Sequence, residues 1–493
     1  MRGAALLSIV ALACFTELAY GLDPPTNPRI LNPDITTQSQ NQTVIAGQSA
    51  TFTVTATGNV PLSYQWTFNG SNVGSNSSSY TRANCQLADN GGRVQVTVSN
   101  ASGSVQSSTA TLTVNPTGTT YYVATNGSSS NTGLSTNSPW EINYAVTKLG
   151  PGITLTLMPG VYSGPIIIYN VNGTAQNPMT IRSQVKWKAV IANSTNHGIA
   201  LGFTPFVNYL VMDGLCVTNS ASDGIGLAGQ NCTVRNCWVT GNYLQGINAS
   251  HATCSNNIIE YNLIENNGTI AAGDPSNAHY HGMYISGPNN IVRGNVVRNN
   301  NSGYGIHLYT AYAGVSQNNN YIYNNLTYGH TNAYGVTMWS AVDGGSLPGT
   351  NYLFNNTILD GVALSYGTDG ITNNIILASP KNPSLPIAAS GTRVPVVYAD
   401  YNLSRLALVP AGSHDVVVST VGFVNPGNGL YWLASNSPAR GAANRNVVLP
   451  VDFFGNPQSS VTDIGAFQYN ATLAGDIRVL YPSPANPDYW SLP

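Results

Sequence analysis

Imidazole and phenol side chains are concentrated in the middle of this 493-residue chain. Six of the seven histidines fall between residues 197 and 330, and His279-Tyr-His281 closes a long polar segment that begins at Asn266. Tyr284 and His307 follow in the same stretch. Because imidazole and phenol groups can take up and release protons, we expect His281, Tyr284 and His307 to take acid and base roles.

A repeat of two short elements positions these residues. One element is a glycine followed by alternating apolar residues, as in Gly282-Met-Tyr-Ile and Gly305-Ile-His-Leu. The other is an apolar run that leads into asparagine, as in Val292-Arg-Gly-Asn. Their alternation predicts an all-β solenoid, a right-handed parallel β-helix, in which equivalent strands pair about 4.8 Å apart.

The asparagines of the second element predict a ladder along the solenoid, because stacked amides can satisfy buried turn groups from coil to coil. Cys237 occupies the equivalent position in an earlier coil, so the ladder is expected to begin at Asn262. Its members are Asn262, Asn295, Asn325, Asn356 and Asn374.

Strand alternation decides which side chains of the glycine element face outward. The residues expected to point inward are Met283, Ile285, Ile306, Leu308, Val336 and Met338. Those expected to point outward form two rows, Asn248, Tyr284, His307 and Thr337, and Ser250, Ser286, Tyr309 and Trp339.

An aromatic outward face beside a long insertion predicts a groove for an extended polysaccharide. Aromatic rings stack on sugar faces, and amide groups bond to sugar hydroxyls. The residues expected to contact substrate are Asn248, His279, Tyr309, Trp339 and Asp274.

Charged residues are scarce, at 7% of the chain, and the net charge is −2. Nothing forms a basic stripe, so nucleic acid is not expected as a partner. Residues 1–21 have the pattern of a signal peptide, with Arg2 before an apolar run from Ala4 to Phe15 that is too short to span a bilayer. We therefore expect a secreted monomer with no membrane span.

The chain divides into several predicted segments. Residues 22–40 have the composition of a linker, and residues 41–116 show short alternating strands around Trp66. Residues 119–470 form the solenoid, opened by a cap whose helix is expected at 141–149, and residues 471–493 form a tail.

Residues 47–114 resemble the immunoglobulin-like repeats of secreted bacterial proteins, although no cysteine pair brackets Trp66. The rest resembles exported β-helix proteins of the pectate-lyase-like superfamily. The resemblance is carried by the repeats, by an opening segment and by a closing segment. These segments are Tyr121-Tyr-Val-Ala-Thr-Asn-Gly, Pro159-Gly-Val-Tyr, Ser437-Pro-Ala-Arg, Asp452-Phe-Phe-Gly-Asn and Asp463-Ile-Gly-Ala-Phe.

The resemblance implies polysaccharide cleavage, but this chain departs from the pectate lyases, which use an Arg or Lys base and calcium held by clustered Asp. Residues 189–380 contain no Lys, and their Arg residues are Arg235, Arg293 and Arg298. The sequence contains no obvious cluster of Asp residues, so we expect no cofactor. Calcium stays an open alternative for which no sequence motif speaks.

Three activities remain open. β-Elimination would use the His and Tyr groups, with Asn248 or Arg293 holding the substrate carboxylate. Hydrolysis would need two carboxylates, for which Asp274 with Asp343 is the best pair. A non-catalytic glycan-binding or adhesive surface protein is the alternative, and His279, His281 and His307 could instead bind a metal.

Five cysteines follow the signal segment: Cys85, Cys216, Cys232, Cys237 and Cys254. Either all are buried small hydrophobes or one disulfide forms, in which case Cys232 with Cys254 is the expected pair. Sequons such as those at Asn41, Asn231, Asn325 and Asn402 would be glycosylated only in a eukaryotic host.

Overall fold

A computed structural model gives the conformation of two compact units, Met1–Asn115 and Pro116–Pro493. The structure describes residues 31–115, 118–193, 195–202, 206–251, 254–269, 279–300, 302–309, 315, 317–330, 333–339, 349–365, 368–389, 396–408, 411–447, 449, 451–453 and 462–469. The signal segment, Asp274, Asp343 and the predicted tail lie outside these residues.

The first unit is a small β-sandwich. Its core tryptophan, Trp66, is fully buried, and the ring N–H of Trp66 donates to Ser77 O at 2.9 Å. Asp34–Thr37 lies within the segment predicted as a linker, and it pairs antiparallel with Thr55–Thr57. The strands are Asp34–Thr37, Gln42–Ile45, Ala50–Thr53, Thr55–Thr57, Ser63–Phe68, Ser71–Val73, Ser79–Arg82, Gly92–Asn100, Gly103–Gln106 and Ala110–Asn115, with a 3-10 turn at Leu87–Asp89.

The second unit is a parallel β-helix with three long sheets, which confirms the predicted fold class. Sheet I contains Thr120–Val123, Thr154–Leu157, Met179–Ser183, Leu210–Asp213, Thr233–Arg235, Ile258–Glu260, Ile291–Arg293, Tyr321–Tyr323, Tyr352–Phe354, Thr368–Thr372 and Val396–Asp400. Sheet II contains Gly160–Ser163, Ala189–Ala192, Cys216–Thr218, Trp238–Thr240, Leu263–Glu265, Val296–Arg298, Leu326–Tyr328, Thr357–Ile358, Ile375–Ile376, Leu403–Ser404 and Val416–Val417. Sheet III contains Ile166–Ile168, Ile199–Leu201, Ile225–Gly226, Ile247–Ala249, Met283–Ile285, Ile306–Tyr309, Val336–Trp339, Val362–Ser365 and Ile387–Ala389.

The N-terminal end of the β-helix core is closed by a short helix. The helix Ile142–Val146 forms inside the predicted span 141–149 and buries Ile142 and Val146 in the core of the first coils. Near the other end, a hairpin pairs Phe423–Asn425 with Leu430–Leu433 around a 3-10 turn at Pro426–Asn428. A remaining short pair joins Val207–Asn208 to Gly229–Gln230.

The C-terminal segment covers the outer face of sheet II. Leu263, Val296 and Leu326 pack outside the coils against Trp432 and Phe467. The outer face of sheet II is therefore occupied by the chain's own apolar side chains.

The asparagine ladder forms as predicted and extends one coil further. The amide of Asn262 donates to Asn295 Oδ1 at 3.0 Å, and the pattern continues at 3.0–3.1 Å to Asn402. Cys237 N donates to Asn262 Oδ1, so the ladder begins where expected. Asn325 and Asn402 are fully buried, and their sequons cannot carry a glycan in the folded chain.

Two further polar ladders were not predicted. One joins Asn242, Asn267 and Asn300 and then passes to His330 and Asp360. The other joins Asn257, Asn290, Asn320 and Asn351 and ends at Asp369. The amide repeat therefore pins several turns of each coil to the next.

Close backbone approach requires glycine at five repeat positions, Gly198, Gly224, Gly246, Gly282 and Gly305. A Cβ placed on Gly246 would lie 2.7 Å from Gly282 O, and one on Gly282 would lie 2.6 Å from Gly305 O. The carbonyl oxygen of Gly282 also accepts a hydrogen bond from Ile247 N, which follows Gly246 in the preceding coil. A larger residue at Gly246 would therefore push the two coils apart.

All five cysteines are buried and free in the structure. Cys232 Sγ lies 3.3 Å from Gln230 O and Cys254 Sγ lies 2.8 Å from Leu227 O, so both thiols contact backbone carbonyls. They fit the expectation of small buried hydrophobes rather than the Cys232–Cys254 disulfide. Among the described residues, no helix is long and apolar enough to cross a membrane.

Asp369, the last member of the ladder that begins at Asn257, makes the stability of the folded chain depend on pH. Asp369 is 1% exposed, and burial raises the pKa of its carboxyl from 3.8 to about 7. The folded chain therefore holds a proton that the unfolded chain releases, so this contribution is complete below about pH 4 and is lost as the pH rises to about 7. We predict that wild-type protein loses about 3 kcal/mol of unfolding free energy between pH 4 and pH 8 relative to Asp369→Asn.

Urea unfolding of both variants at the two pH values measures this difference. Asp34→Asn, which removes an exposed carboxyl group of the sandwich, serves as the control and should follow the wild type. An Asp369→Asn variant with the same pH dependence as the wild type would contradict the assignment.

Candidate functional site

The predicted outward row of sheet III is present in register. Asn248 pairs with Tyr284, Tyr284 with His307, and His307 with Thr337. The residues predicted to point inward, from Met283 to Met338, are all at most 1% exposed. The glycine element therefore correctly predicts which side chains of these strands point into the core.

Part of this row is not displayed to solvent, contrary to expectation. His307 is 6% exposed and Thr337 and Ser286 are fully buried, whereas Tyr284 and Tyr309 are half-buried. The physical reason at His307 is a layer of rings. Tyr284 stacks on it at 5.3 Å between centroids, Tyr309 stacks at 5.4 Å, and Tyr304 meets it edge-on at 4.9 Å.

Two histidines form the centre of this cluster, which we call the histidine pair. His281 Nε2 lies 2.9 Å from His307 Nδ1. The backbone N–H of Tyr304 donates to His281 Nδ1 at 2.9 Å. His281 is itself held by its own N–H, which donates to the side-chain oxygen of Gln245.

These contacts determine where the protons lie. Because His281 Nδ1 accepts from a backbone N–H, neutral His281 carries its proton on Nε2 and donates it to His307 Nδ1. Neutral His307 must then carry its own proton on Nε2. Protonating His307 would place two N–H groups face to face, so the pair resists gaining a positive charge.

Burial acts in the same direction. It lowers the pKa of His281 well below its usual value, with His307 and His279 adding to the effect, and it lowers the pKa of His307 to about 3. The pair is therefore a neutral unit that carries a proton on His307 Nε2, an atom buried from solvent, and it is a poor proton acceptor.

Other predicted residues are placed as follows. Asn248 donates to Asp223 at 2.8 Å and accepts from Ser250 N, while His279 is exposed next to the cluster. Trp339 belongs to a described strand, but its side chain lies outside the described residues, as does Asp274. With Asp343 also outside them, the predicted carboxylate pair stays a prediction.

Arg293, the other candidate partner for the substrate carboxylate, does not lie on sheet III. It lies on sheet I, where it pairs with Glu260 at 2.6 Å and donates to Tyr323 Oη at 2.9 Å. Arg298 makes an equivalent pair with Glu265 on sheet II. These arginines hold neighbouring coils together and do not reach the face of sheet III.

The sequence reasoning missed a cavity of about 160 Å³ at the other end of the same face. It is lined by His197, Ala200, Leu201, Asp223, Gly226, Leu227, Ala228, Asn248, Ser250 and His251. A signal was available, because His197, Asp223 and His281 each directly precede the glycine of a repeat. In a stacked solenoid, such equivalent positions form one row.

Asp223 is the buried centre of this cavity's polar wall. Its carboxylate accepts from Gln245 N at 3.0 Å and from Asn248 Nδ2 at 2.8 Å, and it lies 3.4 Å from His197 Nδ1. The residue is 3% exposed, and burial raises the pKa of its carboxyl above the usual value.

A metal centre is not indicated by the described part of the chain, in which no group of three or more His, Cys, Asp or Glu side chains could hold an ion. The proposed set of His279, His281 and His307 also fails on chemistry. Both ring nitrogens of His281 are already engaged, one by Tyr304 N and one by His307.

Comparison with known proteins gives two family matches. Residues 121–375 match the model described as Pel9A-like, right handed beta helix region, and residues 32–121 match an immunoglobulin domain model. Pectate lyase L from Dickeya chrysanthemi is 29% identical over 169 residues, which cover 31% of this chain and 40% of that protein. Pectate lyase L from Dickeya dadantii (strain 3937) is 28% identical over the same length.

The chain thus spans about two fifths of the curated relatives that it matches. Among solved structures, the crystal structure of pectate lyase Pel9A aligns with a TM-score of 0.48 and 20% identity, over 71% of this chain and 96% of that one. A titin M4 structure aligns over 17% of this chain and 98% of its own, with 22% identity and a TM-score of 0.16.

The hydrogen bonds of the histidine pair predict a specific tautomer. In ¹⁵N-labelled protein, His307 should show a protonated Nε2 and an unprotonated Nδ1, with no change between pH 8 and pH 5, because its pKa lies near 3. His281→Gln keeps a donor and an acceptor on one side chain and should preserve this spectrum, whereas His281→Leu should not. An Nδ1-protonated His307 in the wild type would contradict the geometry.

Proposed function

The chain belongs to the Pel9A-like right-handed β-helix family, and from this premise we propose that it is a secreted polysaccharide lyase acting on uronic acid-containing chains. The pectate lyases among its curated relatives support this substrate class. The apolar run of residues 4–15 behind Arg2 supports export. The outer face of sheet III serves as the binding groove in this proposal.

One observation carries the proposal. Asn248, Tyr284 and His307 lie on three consecutive coils, and the histidine pair keeps His307 neutral with its proton on Nε2. A neutral N–H donor in a dry site binds a carboxylate and strengthens as charge develops on it. Asn248 lies two strands from His307 on the same face and donates one of its amide hydrogens to Asp223.

The reaction requires two proton transfers. In β-elimination the C5–H bond of a uronate breaks, a C4=C5 double bond forms, the C4–O4 bond breaks, and the departing oxygen gains a proton. We assign both transfers to Tyr284, whose phenolate takes the C5 proton and returns it to O4. His307 holds the uronate carboxylate, and His281 is a positioning residue that fixes the tautomer of His307.

The aromatic rings of this face supply the sugar contacts. Tyr284 and Tyr309 stack with their centroids 5.9 Å apart, which gives a continuous ring surface across two coils. Sugar rings pack their C–H faces on such surfaces. Tyr309, His279 and, by register, Trp339 extend the groove in the proposal, and Asp274 belongs to the insertion beside it.

A second candidate function is glycan binding without cleavage. It is favoured by the absence of any Lys or Arg among the described residues of the sheet III strands. A lyase that lacks a cation has only neutral donors to offset the developing charge. The same face would then bind a polysaccharide and release it unchanged.

Cleavage is tested on a panel of uronic and neutral polysaccharides, read by absorbance at 235 nm and by reducing ends. We predict new absorbance with the wild type, a loss of about 10²-fold or more in kcat for Tyr284→Phe, and a similar loss for His307→Ala. His414→Ala is the matched control, since His414 is exposed and pairs with Asp400 away from this face.

The alternative results separate the candidates. Reducing ends without absorbance indicate a hydrolase and overturn the lyase assignment. No product from any polymer, with retained binding, supports the glycan-binding function. Unchanged activity in Tyr284→Phe and His307→Ala would place the chemistry elsewhere.

A further inference from the structure

We propose that the outer face of sheet I carries a second sugar-binding site, a slot over Gly370 between Tyr352 and Tyr398 that takes one neutral pyranose unit of a polysaccharide. The slot lies on a different sheet from the groove of sheet III, and it does not depend on the lyase assignment. Its role is to anchor the protein on a neutral glycan.

One outward row of sheet I is aromatic in its last four coils. Tyr321 pairs with Tyr352, Tyr352 with Gly370, and Gly370 with Tyr398. The residue that follows each of them in its strand is buried, so the row itself faces outward. Over four consecutive coils the row therefore reads tyrosine, tyrosine, glycine, tyrosine.

The spacing of this row leaves a place for one ring. Tyr321 and Tyr352, which are one coil apart, stack with their centroids 4.9 Å apart and their planes 13° apart. One coil step thus equals one stacking distance. Tyr352 and Tyr398 are two steps apart, about 9.6 Å along the solenoid axis. A ring held between them can contact both tyrosines at stacking distance.

Gly370 keeps this place open. Among the described residues, a Cβ on Gly370 would meet only the ring of Tyr352 within 4 Å, with Cδ1 at 3.3 Å. The φ angle of Gly370 lies outside the left-handed region, so backbone strain does not impose the glycine. Tyr398 is 75% exposed and makes no ring contact with another described residue. Both walls of the slot therefore have an unused aromatic surface.

The polar groups beside the slot suit the hydroxyls of a sugar. Asp400 lies two residues from Tyr398 on the same outward face, and Thr372 is its strand partner in the coil of the slot. Asp400 Oδ1 accepts from the backbone N–H groups of Tyr401 and His414 at 3.0 and 2.7 Å. Asp400 Oδ2 lies 2.8 Å from His414 Nδ1 and keeps a lone pair that can accept from a hydroxyl.

Charge favours a neutral unit over a uronate. The four strands of sheet I from Tyr321–Tyr323 to Val396–Asp400 contain no Lys or Arg. Asp400 places a carboxylate beside the slot, which repels a second carboxylate and attracts hydroxyl donors. Aromatic walls pack on the C–H faces of a pyranose ring. The slot therefore differs in its ligand from the uronate groove proposed on sheet III.

The test measures binding of neutral polysaccharides by native gels that contain galactan, xyloglucan or glucomannan. Wild type should be retarded by at least one of them. Tyr398→Ala removes one wall, and Gly370→Tyr supplies the missing ring, so each should weaken binding about tenfold or more. Gly370→Tyr should also unfold in urea at no lower concentration than wild type, because it completes the stack and replaces a strand glycine. Tyr169→Ala, which removes a 61% exposed tyrosine outside sheet I, is the control.

The outcomes separate this site from the proposed lyase. No retardation of wild type in any neutral gel, or equal retardation of wild type, Tyr398→Ala and Gly370→Tyr, would overturn the slot. Retardation lost in His307→Ala but kept in Tyr398→Ala would place neutral binding on sheet III and also overturn it. Release of 235 nm absorbance from polygalacturonate should be unchanged in Tyr398→Ala and Gly370→Tyr. If wild type releases none, the lyase fails, and the gels still decide the slot.

Discussion

The stacked amides of the asparagine ladders are the interaction on which the rest of this structure depends. Asn295, for example, donates to Asn325 Oδ1 at 3.0 Å and to Ile259 O at 2.8 Å, while its own Oδ1 accepts from Asn262. Each buried amide thereby fixes the turn of one coil on the next. A slip of one residue would exchange the two faces of every strand, so this register decides which side chains form the groove.

Much of this arrangement could be predicted from the sequence. Glycine followed by alternating apolar residues identified sheet III, its inward residues and the alignment of Asn248, Tyr284 and His307, because a period of two leaves little freedom. The burial of His307 could not be predicted, since it depends on Tyr304, whose ring and backbone N–H arrive from the preceding turn. The meeting of His197 with Asp223 was missed because the residue that precedes the repeat glycine differs in type from coil to coil, although its position recurs.

The low proportion of charged residues in the chain matches the neutral groups on the outer face of sheet III. Only 7% of residues are charged, and the arginines of the middle coils are engaged with Glu260 and Glu265 on sheets I and II. The face of sheet III works instead with N–H groups, hydroxyls and rings. In a buried setting such groups need no counter-charge, and the fixed tautomer of the histidine pair presents a donor without a net charge.

The central claim is that the outer face of sheet III binds the polysaccharide. A crystal structure of Tyr284→Phe with a bound uronic oligosaccharide tests this most directly. The account predicts sugar density running across the strands of sheet III, from the cavity beside Asn248 over Tyr284 towards Tyr309, with a carboxylate against His307. Density confined to sheet I or to the N-terminal sandwich would contradict it.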